Sequence, residues 1–167
     1  MNATGKTPCI WELLETGVIR LEMAAACRED IFGELVEALM EKEMVSRDLP
    51  VLEEVLRREA VLSTGVGHGV ALPHARLAGF GTQALAFGRP AEPVDVGAVD
   101  SQPADLFFLL IADRNDPGTI VRILGRLARL CDDEHVRTGL RQVEEPEKVI
   151  ALFRRYESNG AQGSGGT

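Results

Sequence analysis

Long apolar runs, paired cysteines and excess positive charge are all missing from this sequence, and each absence removes a class of protein. No apolar stretch approaches the roughly 18 residues of a membrane span, and the longest, Leu106–Ala112, is strand-sized. The start, Met1-Asn2-Ala3-Thr4-Gly5-Lys6, has no basic segment followed by an apolar one. No signal peptide and no direct membrane insertion are therefore expected, and a cytoplasmic location follows as the default. The three cysteines, Cys9, Cys27 and Cys131, are far apart, form no C-x-x-C pair and have no histidine beside them. A disulfide framework and a zinc site are both poorly supported, and no metal or organic cofactor is expected. Cys27 and Cys131 lie in apolar surroundings and are expected to be buried thiols. With 18 Lys and Arg against 26 Asp and Glu, the net charge is −8. An acidic body repels a phosphate backbone, so nucleic acid is not an expected partner. Arg122, Arg126 and Arg129 recur at helical spacing; a solvated helix face is the plainer reading, a patch for an acidic partner the other.

The composition is that of a folded domain: 45% hydrophobic and 26% charged over 167 residues, enough chain for one core. Residues 1–8 are polar, contain Gly5 and Pro8, and are expected to be a flexible start. Cys9–Glu15 reads as a short helix stopped at Gly17 in the left-handed conformation. Val18–Met23 alternates like a half-buried strand, and Arg28–Glu43 carries Ile31, Leu35 and Leu39 on one helical face. Pro50–Glu59 reads as a second helix with proline in its first turn. Ser63–Gly69 reads as a glycine-rich loop, and Val70–Leu72 as a short apolar run ended by Pro73. Gln83–Gly88 and Leu106–Ala112 read as strands, the second buried on both faces. Asp116-Pro117 opens the next helix with a good cap, and Asp132–Val143 and Pro146–Tyr156 read as two more. Glu157–Thr167 is Gly/Ser-rich and expected to be a flexible tail. The interleaving of helices and strands gives a single α/β domain over 9–156, with a mixed β-sheet flanked by helices.

One segment does more than build a fold: Ser63-Thr64-Gly65-Val66-Gly67-His68-Gly69-Val70-Ala71-Leu72-Pro73-His74-Ala75-Arg76. Its glycines permit unusual backbone angles and let a ligand approach main-chain N–H groups, which can line an anion site. Pro73 stiffens the chain before His74, and a neutral imidazole is a good nucleophile near pH 7. Taken alone, a histidine after proline at a strand end is usually a polar loop residue. The spacing is neither a dinucleotide fingerprint nor a Walker loop.

The whole pattern, Ser63-Thr64-Gly65 through Gly67-x-Gly69-Val70-Ala71-Leu72-Pro73-His74, resembles the active-site signature of the fructose/mannitol-type enzyme IIA domain of the phosphoenolpyruvate-dependent phosphotransferase system. Arg58-Glu59 upstream, the Pro90–Asp105 connection before a buried strand, and the helical last third extend the similarity over roughly Cys9 to Tyr156. In size and layout the stand-alone nitrogen-regulatory IIA proteins are nearest. The resemblance implies that His74 accepts a phosphoryl group from the phosphohistidine of the small carrier protein HPr. His74 then passes the group on, or its phosphorylation state signals to a downstream regulatory target. Ser63, Thr64, Gly65, Gly67 and Gly69 would hold the phosphate. Arg58 matches the family's arginine beside the active histidine; it also reads as a surface residue paired with Glu54 one helical turn away.

The sequence departs from the family at Thr119, where members generally carry a second histidine. A threonine at a helix N-terminus can donate a hydrogen bond to phosphate but cannot carry charge or shuttle a proton. Weakened transfer, or a domain that mainly signals, is the expectation. A sugar-specific IIA component serving a separate membrane permease subunit is the second reading, disfavoured by the absence of a fused permease segment. An interaction module that is never phosphorylated is the third. His68 and His135 read as surface residues, and Trp11 and Tyr156 as packing near the ends.

Overall fold

The computed structural model describes residues 6–162. Twelve elements follow in order: α1 Ile10–Thr16, β1 Val18–Met23, α2 Arg28–Glu41, α3 Val51–Val61, β2 Gly65–Gly67, β3 Val70–Ala71, β4 His74–Leu77, β5 Gln83–Pro90, β6 Leu106–Asp113, α4 Pro117–Asp132, α5 Glu134–Gln142 and α6 Pro146–Gln162. The strands form one mixed sheet in the order β1-β5-β6-β3-β2, with β4 also on β6. β1 is parallel to β5, β5 is antiparallel to β6, and both β3 and β4 run parallel to β6.

β6 organises the domain. All eight of its residues are buried, as its unbroken apolar run predicts. Side chains alternate between faces of a strand, and the two sides of β6 feed different cores. Phe107, Leu109 and Ile111 pack with Ile31, Phe32, Leu35 and Leu39 of α2 and Val51 and Val55 of α3. Leu106, Phe108 and Leu110 pack with α1, α4, α5 and α6 on the other side. Phe108 is wedged between Phe87 and Phe153, with ring centroids 4.8 and 5.8 Å away. The result is three layers, helices on both faces of the sheet.

The long elements fall where their periodicity puts them, and the differences have local causes. Gly17 does end α1, but with φ −76° and ψ −156°, not left-handed. It is needed for space instead: a Cβ there would overlap the Leu85 carbonyl oxygen and lie 2.6 Å from that of Leu13. Ser63–Gly69 is not all loop; Gly65–Gly67 pairs with Val70–Ala71 as a tight hairpin. A separate strand, β4, begins at His74 itself. At two to four residues each, such strands are too short to show an alternation. Asp133 separates α4 from α5, its carboxylate accepting the His135 backbone N–H at 2.8 Å. Cys131 is buried, but Cys27 is exposed at the N-cap of α2.

Both expected flexible ends are partly ordered. Arg122 Nε donates to Thr7 Oγ1 at 2.7 Å and Arg126 Nη1 to the Pro8 carbonyl at 2.6 Å, which ties down Thr7 and Pro8. Two arginines of the α4 stripe thus anchor the preceding chain, leaving only Arg129 of the three as part of a free face. At the other end α6 continues through Gln162, past the expected limit at Tyr156. The reason is Glu157, whose carboxylate accepts the backbone N–H groups of Ile10 at 2.9 Å and Trp11 at 3.1 Å. These are free amides at the start of α1, and a carboxylate satisfies them where no side-chain cap does. Residues 1–5 and 163–167 lie outside the described residues.

Gly17→Ala should lower stability by about 2 kcal/mol, because the added methyl group meets backbone that cannot retreat. Urea denaturation followed by circular dichroism measures it; an unchanged midpoint would remove the steric account of Gly17.

Candidate active site

His74 is the first residue of β4 and lies in register with Leu110 of β6, which in turn faces Leu85 of β5. Residues side by side in a sheet point to the same face, so His74 shares the face of Leu110 and Leu85, the α4 side. Ala75 and Leu77 turn to the other side and anchor the strand in the α2–α3 core. β4 pairs only with β6 among the described residues, so its outer edge carries no strand. α3 packs along β4, and Arg58 in its last turn reaches round to His74.

The partners of the imidazole settle its tautomer. Nδ1 lies 2.9 Å from the Leu72 carbonyl oxygen, which can only accept. Nε2 lies 3.2 Å from Arg58 Nε, which can only donate. Nδ1 therefore carries the proton, and Nε2 presents its lone pair. Burial of the half-buried ring is the main cause lowering its pKa from the ordinary 6.5; the Leu72 carbonyl opposes this, and the charges of Arg58 and Arg76 add to it. The ring is thus neutral, with a lone pair available, through the physiological range.

Arg58 is committed to this site. Its Nη1 donates to the Leu62 carbonyl at 2.9 Å while its Nε holds His74. The alternative pairing with Glu54 is taken by the neighbour Arg57, at 2.7 Å. Glu59, next in sequence, is buried and points inward to Thr64, accepting from its backbone N–H at 3.0 Å and its hydroxyl at 2.6 Å. The Arg58-Glu59 pair is visible in the sequence, but the role of Glu59 is not. An acidic residue on the inward side of an amphipathic helix was the available signal.

The glycine-rich stretch divides into two parts. Thr64 lies across from Leu72, whose N–H donates to the Thr64 carbonyl at 2.9 Å, so Ser63 and Thr64 stand close in the sheet to His74. Ser63 Oγ donates to the Val96 carbonyl at 2.6 Å. Gly65 is required by crowding, since a Cβ would stand 2.8 Å from both Val96 Cγ2 and Ala98 Cβ. Gly67, His68 and Gly69 form the far tip of the hairpin, all with positive φ. The tip lies beyond Val70, which pairs with Leu106, four positions along β6 from the partner of His74, about 13 Å away. There Asp100 accepts the His68 N–H at 2.8 Å, and Arg141 donates to the His68 carbonyl and to Asp105. The structure thus does not bring Gly67 and Gly69 to His74. His68 and His135 are both exposed.

Thr119 is buried in the first turn of α4 with its hydroxyl fully engaged. It donates to Asp116 Oδ2 at 2.6 Å and accepts from Arg122 Nη2 at 2.9 Å. Among the described residues no hydrogen bond joins it to His74. It lines a cleft of about 500 Å³ with Lys6, Gly81, Asn115, Asp116 and Arg122. No group of three or more metal-ligating side chains occurs among the described residues, and none of their helices is long and apolar enough to cross a membrane.

A family model described as "Phosphoenolpyruvate-dependent sugar phosphotransferase system, EIIA 2" matches residues 12–156. The chain belongs to this family. It is 32% identical over 148 residues to the fructose-specific EIIABC component of Bacillus subtilis, covering 89% of this chain but only 23% of that longer protein. It is 34% identical over 115 residues to the nitrogen regulatory protein of Pseudomonas aeruginosa, covering 65% of this chain and 75% of that one. The crystal structure of nitrogen regulatory protein IIA-Ntr from Neisseria meningitidis superposes with a TM-score of 0.80 at 35% identity, over 86% of this chain and 98% of that one. IIA mannitol from Escherichia coli has the same fold, with a TM-score of 0.68 at 23% identity, over 81% and 94%. The expected family and mixed-sheet α/β fold are both confirmed.

Within this enzyme IIA domain the His74 environment makes a pH prediction. The unfolded chain binds a proton near pH 6.5 while the folded ring resists it, so the unfolded state holds more protons just below that pH. Stability must therefore fall as pH drops from 6.5 to the lowered folded value, then level off with respect to this group. An NMR titration of the ring should find its midpoint below 6.5. In Arg58→Gln the midpoint should rise, yet stay below 6.5 because burial remains. A wild-type midpoint at or above 6.5 would contradict the burial account.

Proposed function

We propose that this protein is a phosphocarrier of the phosphotransferase system that accepts a phosphoryl group on His74 Nε2 from an HPr-like phosphocarrier protein. The observation that carries the reading is the pair of opposed hydrogen bonds on the imidazole, which leave Nε2 unprotonated and directed at a cation. In the transfer, the Nε2 lone pair attacks the phosphorus of the donor's phosphohistidine. A new N–P bond forms as the donor's N–P bond breaks, and the departing electron pair returns to the donor imidazole. Nδ1 keeps its proton throughout, stabilised by the Leu72 carbonyl. Arg58 begins with its Nε–H on the Nε2 lone pair and moves onto a phosphoryl oxygen as that lone pair is consumed. Such transfers ask the protein mainly for positioning and for charge stabilisation.

Ser63, Thr64 and the main chain of Gly65 remain the residues we assign to seating the phosphoryl group, the Ser63 and Thr64 hydroxyls by leaving Val96 and Glu59; Gly67 and Gly69 shape the hairpin. The Thr119 O–H can turn to a phosphoryl oxygen only by leaving Asp116, which makes transfer slower than with a histidine at that position. We place the protein in the cytoplasm with its donor. The downstream role is regulatory, a reading supported by the similarity to nitrogen regulatory proteins over most of their length. A sugar-specific role, feeding a permease subunit, draws support from fructose-specific relatives such as the EIIA component of Haloferax volcanii, 31% identical over 132 residues.

Incubation with phosphoenolpyruvate, enzyme I and cognate HPr should place an acid-labile phosphate on the wild type and none on His74→Ala. Absence of label on the wild type would refute the phosphocarrier reading, and label surviving in His74→Ala would move the site to another histidine. Arg58→Gln should slow labelling at least about tenfold, the order expected for losing a charge-assisted contact to a transferring group.

A further inference from the structure

We infer that Glu59 is a positioning residue for His74, acting through the main chain of Thr64 and Leu72 to hold the imidazole in the tautomer whose Nε2 is unprotonated. The inference rests on the proposed role of His74. Its starting point is a carboxylate in an unfavourable place: the Glu59 side chain is 2% exposed, and its one ion-pair partner, Arg28, stands 3.8 Å away and is drawn more closely to Glu29, at 2.8 Å. A buried carboxylate persists only when its oxygens are well used, and among the described residues every hydrogen bond Glu59 accepts comes from one residue. Thr64 donates to it through its backbone N–H, at 3.0 and 3.2 Å to the two oxygens, and through its hydroxyl at 2.6 Å.

Those three contacts fix the Thr64 peptide, and the consequence runs on by contact. The Thr64 carbonyl accepts the Leu72 N–H at 2.9 Å, which fixes the Leu72 residue. The Leu72 carbonyl accepts the His74 Nδ1 proton at 2.9 Å. Two successive residues at the end of α3 thus govern the two nitrogens of one ring, Arg58 meeting Nε2 directly and Glu59 reaching Nδ1 through two backbone links. If the Leu72 carbonyl tilts away, the proton can reside on Nε2, where it would confront the Arg58 donor and block attack on phosphorus.

Glu59→Gln is the informative variant because it keeps shape and burial. A carboxamide has a single acceptor oxygen, and its NH2 faces the Thr64 donors, so at least one of the contacts is lost. Nitrogen-15 NMR of His74, well above its titration midpoint, reads the tautomer directly. The wild type should show the Nδ1–H form dominant, and Glu59→Gln a mixture with the Nε2–H form. Its phosphorylation rate by HPr should fall about tenfold with the KM for HPr unchanged, as expected for misalignment of a reacting group. Thr64→Val removes only the hydroxyl contact and should shift the tautomer ratio less, in the same direction; this variant decides the matter if Glu59→Gln does not fold. Wild-type tautomer populations in the folded variants would overturn the inference, as would a rate loss unaccompanied by a tautomer change. Because the tautomer is read without phosphoryl transfer, failure of the wild type to accept phosphate would refute the function proposed for His74 and leave this test intact.

Discussion

Everything in this domain is registered against β6. It lies at the centre of the sheet, with β5 along one edge and β3 then β4 along the other, and all eight of its residues are buried. A slip of one residue would send every apolar side chain of the strand to the wrong core. The same register delivers His74 to the position beside Leu110. The catalytic candidate therefore inherits its place from the buried centre of the sheet, although it sits on a four-residue strand with an open edge. The interruption at Leu72-Pro73 separates β3 from β4 and lets a carbonyl turn toward a side chain where an uninterrupted strand would use it in the ladder.

The site balances two opposing demands on one imidazole. In the proposed transfer the ring must first be neutral and nucleophilic, and would then carry a phosphoryl group with net negative charge. Burial and the nearby Arg58 and Arg76 charges favour the neutral ring, and the same positive charges are suited to the anionic product. In that proposal fixed cations and a backbone carbonyl supply both the field and the orientation.

The sequence made the long elements plain because their apolar faces span several turns or a whole strand, as in α2, α4 and β6. It concealed β2, β3 and β4, which are too short for periodicity and exist through pairing with β6 or with one another. His74 and Arg58 were legible as parts of a motif, and the structure places them in contact. The hairpin glycines point to ligand binding through their backbone freedom and the family resemblance, whereas their φ values and neighbours, which one-dimensional spacing cannot carry, show what they do for the fold. Glu59 stayed silent because its partner, Thr64, becomes a partner only once α3 has turned back onto the sheet. The order at both ends was hidden for a similar reason, since Glu157 and Arg126 act across nearly the whole length of the chain.

That last arrangement has a consequence for how the chain is made. At seven residues, α1 is well below the length at which a helix persists alone in water, and its leading amides are satisfied by Glu157, 147 positions later. α6 follows α1 by more than a hundred residues, so during synthesis α1 can pack on β5 and α4 before α6 is made, but its leading amides stay unsatisfied until α6 docks. Until then the start of α1 is held by its neighbours in the core alone, through Ile10, Leu13 and Leu14.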